Sequence, residues 1–496
     1  MELGPDTSRP RVLFIASEAY PLAKTGGLAD VCGALPVMLA SLGVDVRLML
    51  PGYPEALERA RNKRTIALDM AEGRLVAATM PGSDLGVLLY DCPSLFARRG
   101  GLYRDDDGQD WPDNDRRFAM FCRAAASVAL GRSALEWQPD LVHAHDWHAG
   151  LVPALLRYSG GKQPKSVFTV HNLAFQGNFP LGAFAGLGLP GEALSPDGVE
   201  FYNHVSFMKA GLRFADRLTT VSPTYAREIL TAEHGCGFEG LLRTRARDLV
   251  GILNGIDDVV WDPANDVELP SRYSAADPAG KAACKRALQQ EMGLESRDAP
   301  LLIFVNRLTH QKMADVVLNA VPCLIADGGQ VVVHGEGDHE IERGLVSLAH
   351  ACPGQVAVRV GYAEPLAHRL HAAADLSLTP SRFEPCGLTT MYAMRYGALP
   401  VTRPVGGLKD TVDDAGSHDD DAAEGSGFMF SETTADGLTQ CVRRATRWYG
   451  EPMAWEALRR RAMRRNFGWE RSARQYCALY ADLLGSTEPP IAVAAE

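Results

Sequence analysis

The feature that most limits what this chain can fold into is a pattern that occurs twice: short runs rich in Val, Ile, Leu and Phe alternate with longer amphipathic stretches. Short uninterrupted apolar runs are strands buried on both faces, and the amphipathic segments between them are the crossover helices that parallel strands need. In the first half the strands are predicted at Arg11–Ser17, Val44–Leu50, Asp140–His145, Ser166–His171, Arg217–Val221 and Leu249–Leu253. Helices are predicted over Leu28–Leu42, Arg116–Leu130, Ala149–Tyr158 and Glu200–Phe214. In the second half the strands are Leu301–Asn306, Gln330–His334, Val356–Val360, Asp375–Thr379 and Leu399–Thr402. Thr65–Asp91 breaks the pattern, with short runs separated by Glu72-Gly73 and Pro81-Gly82, and reads as an antiparallel insertion. The expected class is α/β with two doubly wound sheets.

A length of 496 residues agrees with two domains, because single cores rarely grow beyond about 250–300 residues. Asp257–Pro300, rich in Pro, Asp and Ala and without a strand signal, is the predicted linker and entry to the second domain. Ligands in such folds bind outside the carboxyl ends of the strands, so a site in a cleft between two facing sheets is expected. The formal net charge of −11 argues against nucleic acid or an anionic membrane as the main partner and is compatible with a neutral polysaccharide. Ten cysteines without a C-x-x-C pair indicate neither a zinc ribbon nor a disulfide scaffold, and a cytoplasmic protein with reduced thiols is expected. The first residues carry no export signal, and no apolar run approaches the roughly 18 residues that would span a bilayer. The tails Met1–Pro10 and Ser486–Glu496 are expected to fray.

Motifs at strand ends carry the chemistry. Ser17-Glu18-Ala19-Tyr20-Pro21-Leu22-Ala23-Lys24-Thr25-Gly26-Gly27-Leu28-Ala29-Asp30 leaves the first strand and enters a helix. Two adjacent glycines before a helix let backbone N–H groups gather around an anion, and Lys24 adds a full charge; the same glycines also suit a plain turn. The order Lys-Thr-Gly-Gly is not that of a P-loop, so ATPase chemistry is not supported. Asn306-Arg307-Leu308-Thr309-His310-Gln311-Lys312 sets Arg307 and Lys312 where they can grip one diphosphate and stabilise its departure, unless they form only a solvated basic loop. Ser381-Arg382-Phe383-Glu384-Pro385-Cys386-Gly387-Leu388-Thr389 reads as a helix N-terminus with free N–H groups. Glu384 there either binds sugar hydroxyls beside an oxocarbenium-like centre or merely complements the helix dipole. Cys386 is either activated by that helix or an inert buried thiol.

His143-Ala144-His145-Asp146-Trp147-His148, with His171-Asn172 after the next strand, tempts a metal reading. The spacing is wrong for H-x-H-x-D-H, and His143 and His145 share one strand face, as hydrogen-bonded core histidines do. His334-Gly335-Glu336-Gly337-Asp338 lacks the third glycine of a dinucleotide fingerprint and marks a tight turn. Asn254-Gly255 carries a turn signature and suits a hinge.

Taken together, Lys24-Thr25-Gly26-Gly27, His145-Asp146-Trp147-His148, His171-Asn172, Asn254-Gly255, Arg307 with Lys312, and Ser381 through Leu388 resemble the bacterial glycogen synthases and plant starch synthases over nearly the whole chain. Glu200-Phe201-Tyr202 through Lys209-Ala210-Gly211, Val221 through Ala226, and Gly406-Gly407-Leu408 agree. The resemblance implies the GT-B architecture: two Rossmann-like doubly wound domains facing across a deep cleft, at 1–256 and 257–465, with 466–496 forming a helix, Asn466–Leu484, that crosses back to the first domain, and a tail. It implies retaining transfer of glucose from ADP-glucose to the non-reducing end of an α-1,4-glucan, with no metal and no organic cofactor. By matching motif, Lys24, Gly27, Arg307 and Lys312 would hold the diphosphate, and Cys386, Gly387, Leu388 and Thr389 would meet phosphate and sugar oxygens. Tyr362 would stack on the adenine. Glu384 would bind glucose hydroxyls and His171 would lie near the reacting carbon. Glu18, Asp30, Asp146, Asn172 and Asn254 would surround the acceptor.

Three departures from the family pattern bear on nucleotide preference and turnover: Met313 where Gly is usual, Asn306 for Ser, and Lys409 for Ala. The competing readings are a UDP-glucose or sucrose-type transferase, a phosphorylase carrying pyridoxal phosphate, a non-catalytic glucan-binding homologue, and a metallohydrolase built on the His143–His148 cluster. A double-displacement route would need two carboxylates about 5–5.5 Å apart.

Overall fold

The computed structural model describes residues 9–416 and 425–485, so the predicted tails lie almost wholly outside the described residues. The chain forms two compact units: Met1–Gly255 with Trp469–Glu496, and Ile256–Gly468. Among the described residues no helix is long and apolar enough to cross a membrane.

The first unit is built on strands β1 (Arg11–Ile15), β2 (Asp45–Pro51), β3 (Arg61–Ile66), β4 (Arg74–Thr79), β5 (Gly86–Asp91), β6 (Leu141–His145), β7 (Lys165–Val170), β8 (Asn178–Pro180), β9 (Glu200–Phe201), β10 (His204–Ser206), β11 (Arg217–Thr220) and β12 (Leu249–Gly251). Nine of them form one sheet in the order β12-β11-β7-β6-β1-β2-β5-β4-β3. β4 runs antiparallel to β5, and β3 to β4; this is the predicted insertion, begun four residues earlier at Arg61 and added at the sheet edge. The other strands of this sheet are parallel, and the order reverses direction between β1 and β6. The helix Gly27–Ser41 connects β1 to β2, and at Gly33 a Cβ would come within 2.3 Å of the Tyr20 carbonyl oxygen, so this close approach requires glycine.

The predicted helix Glu200–Phe214 forms only in its second half. Phe201, Val205, Met208 and Leu212 keep helical spacing, but Tyr202 and Asn203 take positive φ (48° and 61°) in a two-residue hairpin turn between β9 and β10. The Asn203 N–H donates to Glu200 Oε1 at 2.8 Å, and the helix starts at Phe207, capped by Ser206 Oγ, which accepts from the Lys209 N–H. The final helix, Glu470–Leu484, belongs to this first unit and buries Tyr476 and Tyr480 there.

The second unit holds β13 (Leu301–Val305), β14 (Gln330–Gly335), β15 (Val356–Val360), β16 (Leu376–Thr379), β17 (Leu399–Thr402) and β18 (Phe428–Met429), all parallel, in the order β15-β14-β13-β16-β17-β18. This is the doubly wound order whose crevice opens between the first and fourth strands, here β13 and β16. Asp257–Pro300 is not a linker: it belongs to this unit and contains the helix Ala279–Met292. Lys281 and Lys285 of that helix both aim inward. Lys281 Nζ donates to the carbonyls of Ala372 (2.9 Å) and Tyr396 (2.8 Å), and Lys285 Nζ pairs with Asp375 Oδ2 at 2.6 Å. Ahead of that helix Trp261 stacks on His368 and Tyr392, and Asp266 Oδ2 accepts from His368 and Tyr396.

Met313 stands at the entry to the helix Ala314–Ala326 in the left-handed region (φ 55°) and is 0% exposed, packed into the core beside Leu308, Val317 and Leu345. Left-handed backbone costs a residue with a Cβ about 1–2 kcal/mol, whereas truncating a buried Met removes about 2–5 kcal/mol. Met313→Ala keeps the strain and loses the packing; Met313→Gly loses the packing but relieves the strain. The expected order of unfolding free energies by urea denaturation is therefore wild type, then Gly, then Ala, the reverse of the usual ranking of Ala above Gly.

Candidate active site

Most of the predicted residues sit at the switch points of their own sheets, while His171 and Asn172 follow β7, Asn254 follows β12 and Tyr362 follows β15. In the first unit the loops after β1 and β6 carry Glu18, Lys24, Gly27, Asp30 and Asp146. Glu18 is 3% exposed, and its carboxylate serves the loop itself: Oε2 accepts from the N–H groups of Thr25 (2.5 Å) and Gly26 (3.1 Å), and Oε1 from the Tyr103 hydroxyl (3.2 Å). Two of the N–H groups that the glycine motif promised to an anion are thus held by a carboxylate of the chain. Burial pushes Glu18 up to about 7, against the lowering effect of those hydrogen bonds. Lys24 Nζ pairs with Asp30 Oδ1 at 2.7 Å, and Gly27 is the first residue of its helix, where N–H groups lack intrahelical partners.

Asp146 ends β6 in left-handed backbone (φ 54°), a conformation an aspartate tolerates better than most residues. Its Oδ1 accepts from the N–H of His171 at 2.7 Å and, at 3.5 Å, from that of Asn172, which joins the ends of β6 and β7. Burial pushes Asp146 up to about 7. Asn172 Oδ1 accepts from the Ala174 N–H and shapes the following turn, and Asn254 is 5% exposed with a buried Oδ1 that has no hydrogen-bond partner among the described residues. A buried amide oxygen without a donor marks a place for a ligand or a water.

Three of the predicted histidines bond protein partners. His143 bonds Tyr480 through Nδ1 (2.7 Å) and Thr169 through Nε2 (2.6 Å), and His145 Nδ1 meets His171 Nε2 at 2.9 Å. Among the described residues no group of three or more His, Cys, Asp or Glu is arranged to hold a metal ion.

In the second unit the loops after β13 and β16 are latched together. The Arg382 N–H donates to the Gln311 carbonyl (2.9 Å), Gln311 Nε2 to the Phe383 carbonyl (3.3 Å), and the Arg382 guanidinium grips Asp315 at 2.8–2.9 Å. Glu384 is 7% exposed, with its Oε2 in an ion pair with Lys312 and accepting from Ser381 Oγ at 2.8 Å. Gly387 takes positive φ (88°) and caps the helix Leu388–Arg395, whose first N–H groups, at Leu388 and Thr389, face the same loop. Cys386 is buried; at Gly407 a Cβ would fall 2.1 Å from its carbonyl oxygen. Arg307 is exposed in the loop after β13. Tyr362 follows β15 with its ring 63% exposed and its hydroxyl donating to Glu364.

Sequence reasoning missed Tyr103 and the Arg382–Asp315 fork because their partners lie 85 and 67 residues away, and it missed Ser381 as the partner of Glu384 although the two sit three residues apart in the same motif. It also missed a recess of about 900 Å³ in the first unit, lined in part by Phe201, Tyr202, Arg213, Arg245 and Asp248, which includes none of the predicted site residues.

Comparison with known proteins supplies a framework for these two sites. Residues 11–244 match the family described as starch synthase catalytic domain, and residues 299–447 match glycosyl transferases group 1. A glycogen synthase of Burkholderia thailandensis is 53% identical over 480 residues, covering 95% of this chain and 90% of that one. A glycogen synthase of Paramagnetospirillum magneticum is 48% identical over 96% of this chain and 98% of its own. Among solved structures, the catalytic domain of starch synthase IV from Arabidopsis thaliana, bound to ADP and acarbose, aligns with TM-score 0.88 and 33% identity over 96% of this chain and all of that one. A sucrose-phosphate synthase from Thermosynechococcus elongatus, at 18% identity and TM-score 0.60, shares the fold.

The buried groups of the first unit set a pH dependence of stability. Burial pushes His143, His145 and His148 well below the usual histidine range and His171 down to about 3. The unfolded chain binds protons at these four positions below about pH 6.5 and the fold does not, so their contribution to stability falls as the pH drops. Glu18 and Asp146 act in the opposite sense, holding protons in the fold up to about 7 that the unfolded chain releases above about pH 4.5. Four groups outweigh two, and denaturation at constant ionic strength is expected to show lower stability near pH 5 than near pH 6.5. A profile that rises on acidification contradicts neutral buried histidines.

Proposed function

The chain belongs to the bacterial glycogen synthase and plant starch synthase family, a hexosyltransferase of GT-B fold, and from that premise we propose that it transfers glucose with retention from ADP-glucose to the non-reducing end of an α-1,4-glucan, releasing ADP. The observation that carries the reading is the Lys312–Glu384–Ser381 cluster at the β13/β16 switch point, beside the N-terminus of the helix Leu388–Arg395. That place offers an ammonium, backbone N–H groups and a carboxylate within one loop pair, which is what a sugar diphosphate demands: cations and dipoles for the phosphates, an acceptor for the sugar hydroxyls.

In this reading Arg307 and Lys312 hold the diphosphate and stabilise the charge that grows on it as the glycosidic bond breaks. The N–H groups of Leu388 and Thr389, in the loop that Cys386 and Gly387 shape, meet phosphate and sugar oxygens. Glu384, poised by Ser381, accepts from glucose hydroxyls, and the exposed ring of Tyr362 stacks on the adenine. The starch synthase bound to ADP supports this donor assignment. On the first unit, Asp146, Asn172 and Asn254 form the acceptor surface, with the orphaned Asn254 oxygen as one hydrogen-bond acceptor for a glucan hydroxyl. His171 serves near the reacting carbon. Glu18 acts from behind, fixing the loop that presents Lys24 and Gly27, and Asp30 holds the Lys24 ammonium.

The Glu384 carboxylate already engages an ammonium and a hydroxyl, which favours a front-face path in which the leaving phosphate takes the acceptor's proton. No metal or organic cofactor enters the reading. Ten unpaired cysteines support a reducing cytoplasm as the place of action.

Glucose incorporation into glycogen is the test, with ADP-glucose and UDP-glucose compared and EDTA added to one arm. Incorporation from ADP-glucose that survives EDTA is expected. Preference for UDP-glucose overturns the donor assignment, and binding of glucan without turnover of either donor favours a non-catalytic homologue. Lys312→Ala and Glu384→Ala are each expected to lower kcat by on the order of a hundredfold or more, the effect of removing one preorganised charge-stabilising group.

A further inference from the structure

We propose that His145 is a positioning residue that locks His171 in the tautomer carrying its proton on Nδ1, so that His171 meets the substrate as a hydrogen-bond donor and not as a base. The inference rests on the reading of His171 as an active-site residue and adds its protonation state and the side chain that sets it. His145 Nδ1 and His171 Nε2 lie 2.9 Å apart, and two neutral rings at that distance share one proton: one nitrogen donates it and the other accepts. Burial keeps both rings neutral.

The direction follows from the other edge of His145. Its Nε2 is buried and has no hydrogen-bond partner among the described residues. Buried N–H groups without an acceptor are rarer in proteins than acceptors without a donor, so the bare lone pair belongs on Nε2 and the proton on Nδ1. His145 therefore donates to His171 Nε2. With Nε2 of His171 accepting, its own proton resides on Nδ1, the ring edge that His145 does not use. The arrangement is rigid: the His145 ring stacks on Phe14 at 4.0 Å and packs against His143 at 4.1 Å, these two rings themselves being in contact, and the His171 backbone N–H is tied to Asp146 Oδ1. A fixed N–H donor suits a sugar hydroxyl or a developing negative charge on oxygen. A fixed acceptor would suit proton removal, which the leaving phosphate performs in the reading above.

Long-range ¹H–¹⁵N spectra of the full chain labelled at histidine test the proposal directly, with His145→Phe and His171→Gln assigning the two rings by loss of signal. The expected wild-type result is Nδ1–H for both rings; an Nε2–H tautomer at His171 overturns the proposal whatever the activity. His145→Phe keeps an aromatic ring against Phe14 but cannot donate, so His171 is expected to shift toward Nε2–H and kcat to fall roughly tenfold or more, the worth of one active-site hydrogen bond, with KM for the donor little changed. His145→Asn places an amide N–H₂ near the position of Nδ1 and is expected to restore the Nδ1–H tautomer and part of the rate. Loss of rate in both variants with an unchanged His171 tautomer overturns the positioning role. If His145→Phe does not fold by circular dichroism, the wild-type spectrum and His145→Asn decide. His171→Gln at wild-type turnover would remove the active-site role of His171 while leaving the tautomer measurement to stand or fall separately.

Discussion

The constraint on which both units depend is that a parallel strand covered by helices on both faces has no wet side. Its residues must be apolar until the strand ends, so polar chemistry is driven to the strand ends, and the reversal of strand order leaves a crevice there. In the first unit that crevice lies between β1 and β6, in the second between β13 and β16, and the loops at those four ends hold most of the candidate site. The exceptions inside the sheet obey the same rule by satisfying one another. His143 Nε2 meets Thr169 Oγ1, which meets Thr219 Oγ1 at 2.5 Å, while His143 Nδ1 meets the Tyr480 hydroxyl. One line of hydrogen bonds crosses β6, β7 and β11 and ends on the last helix of the chain, which supplies the partner that the sheet lacks. Left unpaired, a buried polar group of this kind costs about 1–3 kcal/mol.

The two switch points differ in electrostatics in a way that fits different guests. In the first unit burial raises Glu18 and Asp146 to about 7 and keeps the neighbouring histidines neutral, so that much of this site is polar without full charge. A neutral polyhydroxylated chain, as proposed above, would exchange its hydrogen bonds to water for hydrogen bonds to these groups. In the second unit Arg307, Lys312 and the helix N-terminus concentrate positive potential, while the Asp315 carboxylate is paired with Arg382 and that of Glu384 is buried against Lys312. An anionic donor entering that loop pair would take over part of the Lys312 charge, leaving Glu384 oxygens to the sugar.

How much of this was legible follows from what a linear pattern can encode. Strands such as Leu301–Val305 and the loops after them could be read because apolar runs and glycine-flanked motifs are local signals. Asp257–Pro300 was read as a linker and entry to the second domain because its Pro, Asp and Ala content and missing strand signal hid a helix, whose Lys281 and Lys285 reach carbonyls and a carboxylate some 90 residues away. Glu200–Phe214 was misread because a hairpin and a following helix happened to keep one apolar rhythm. The residues of the glycine loop were found, but not the task of Glu18, whose carboxylate takes the N–H groups that the motif alone assigned to an anion. His145 and His171 stood out as types and positions; that they share a single proton depends on the distance between the ends of β6 and β7.

Met313 shows how a departure from a family pattern acquires its meaning only in three dimensions. In sequence it stands where the family resemblance leads one to expect glycine, next to a lysine proposed to hold phosphate, and points to altered chemistry. In the fold the Met313 N–H donates to the His310 carbonyl while its own carbonyl accepts from the N–H groups of Val316 and Val317, so the residue closes one turn and starts the next helix. That sharp change of direction requires positive φ whichever residue occupies the position, and here a buried thioether side chain anchored in the core holds it. Its side chain is buried in an apolar cluster that includes Leu308, Val317 and Leu345, so what Met313 adds is a hold on the turn. The ammonium one residue earlier keeps its position because the turn does, and the pairing of Lys312 with Glu384 is what that rigidity secures.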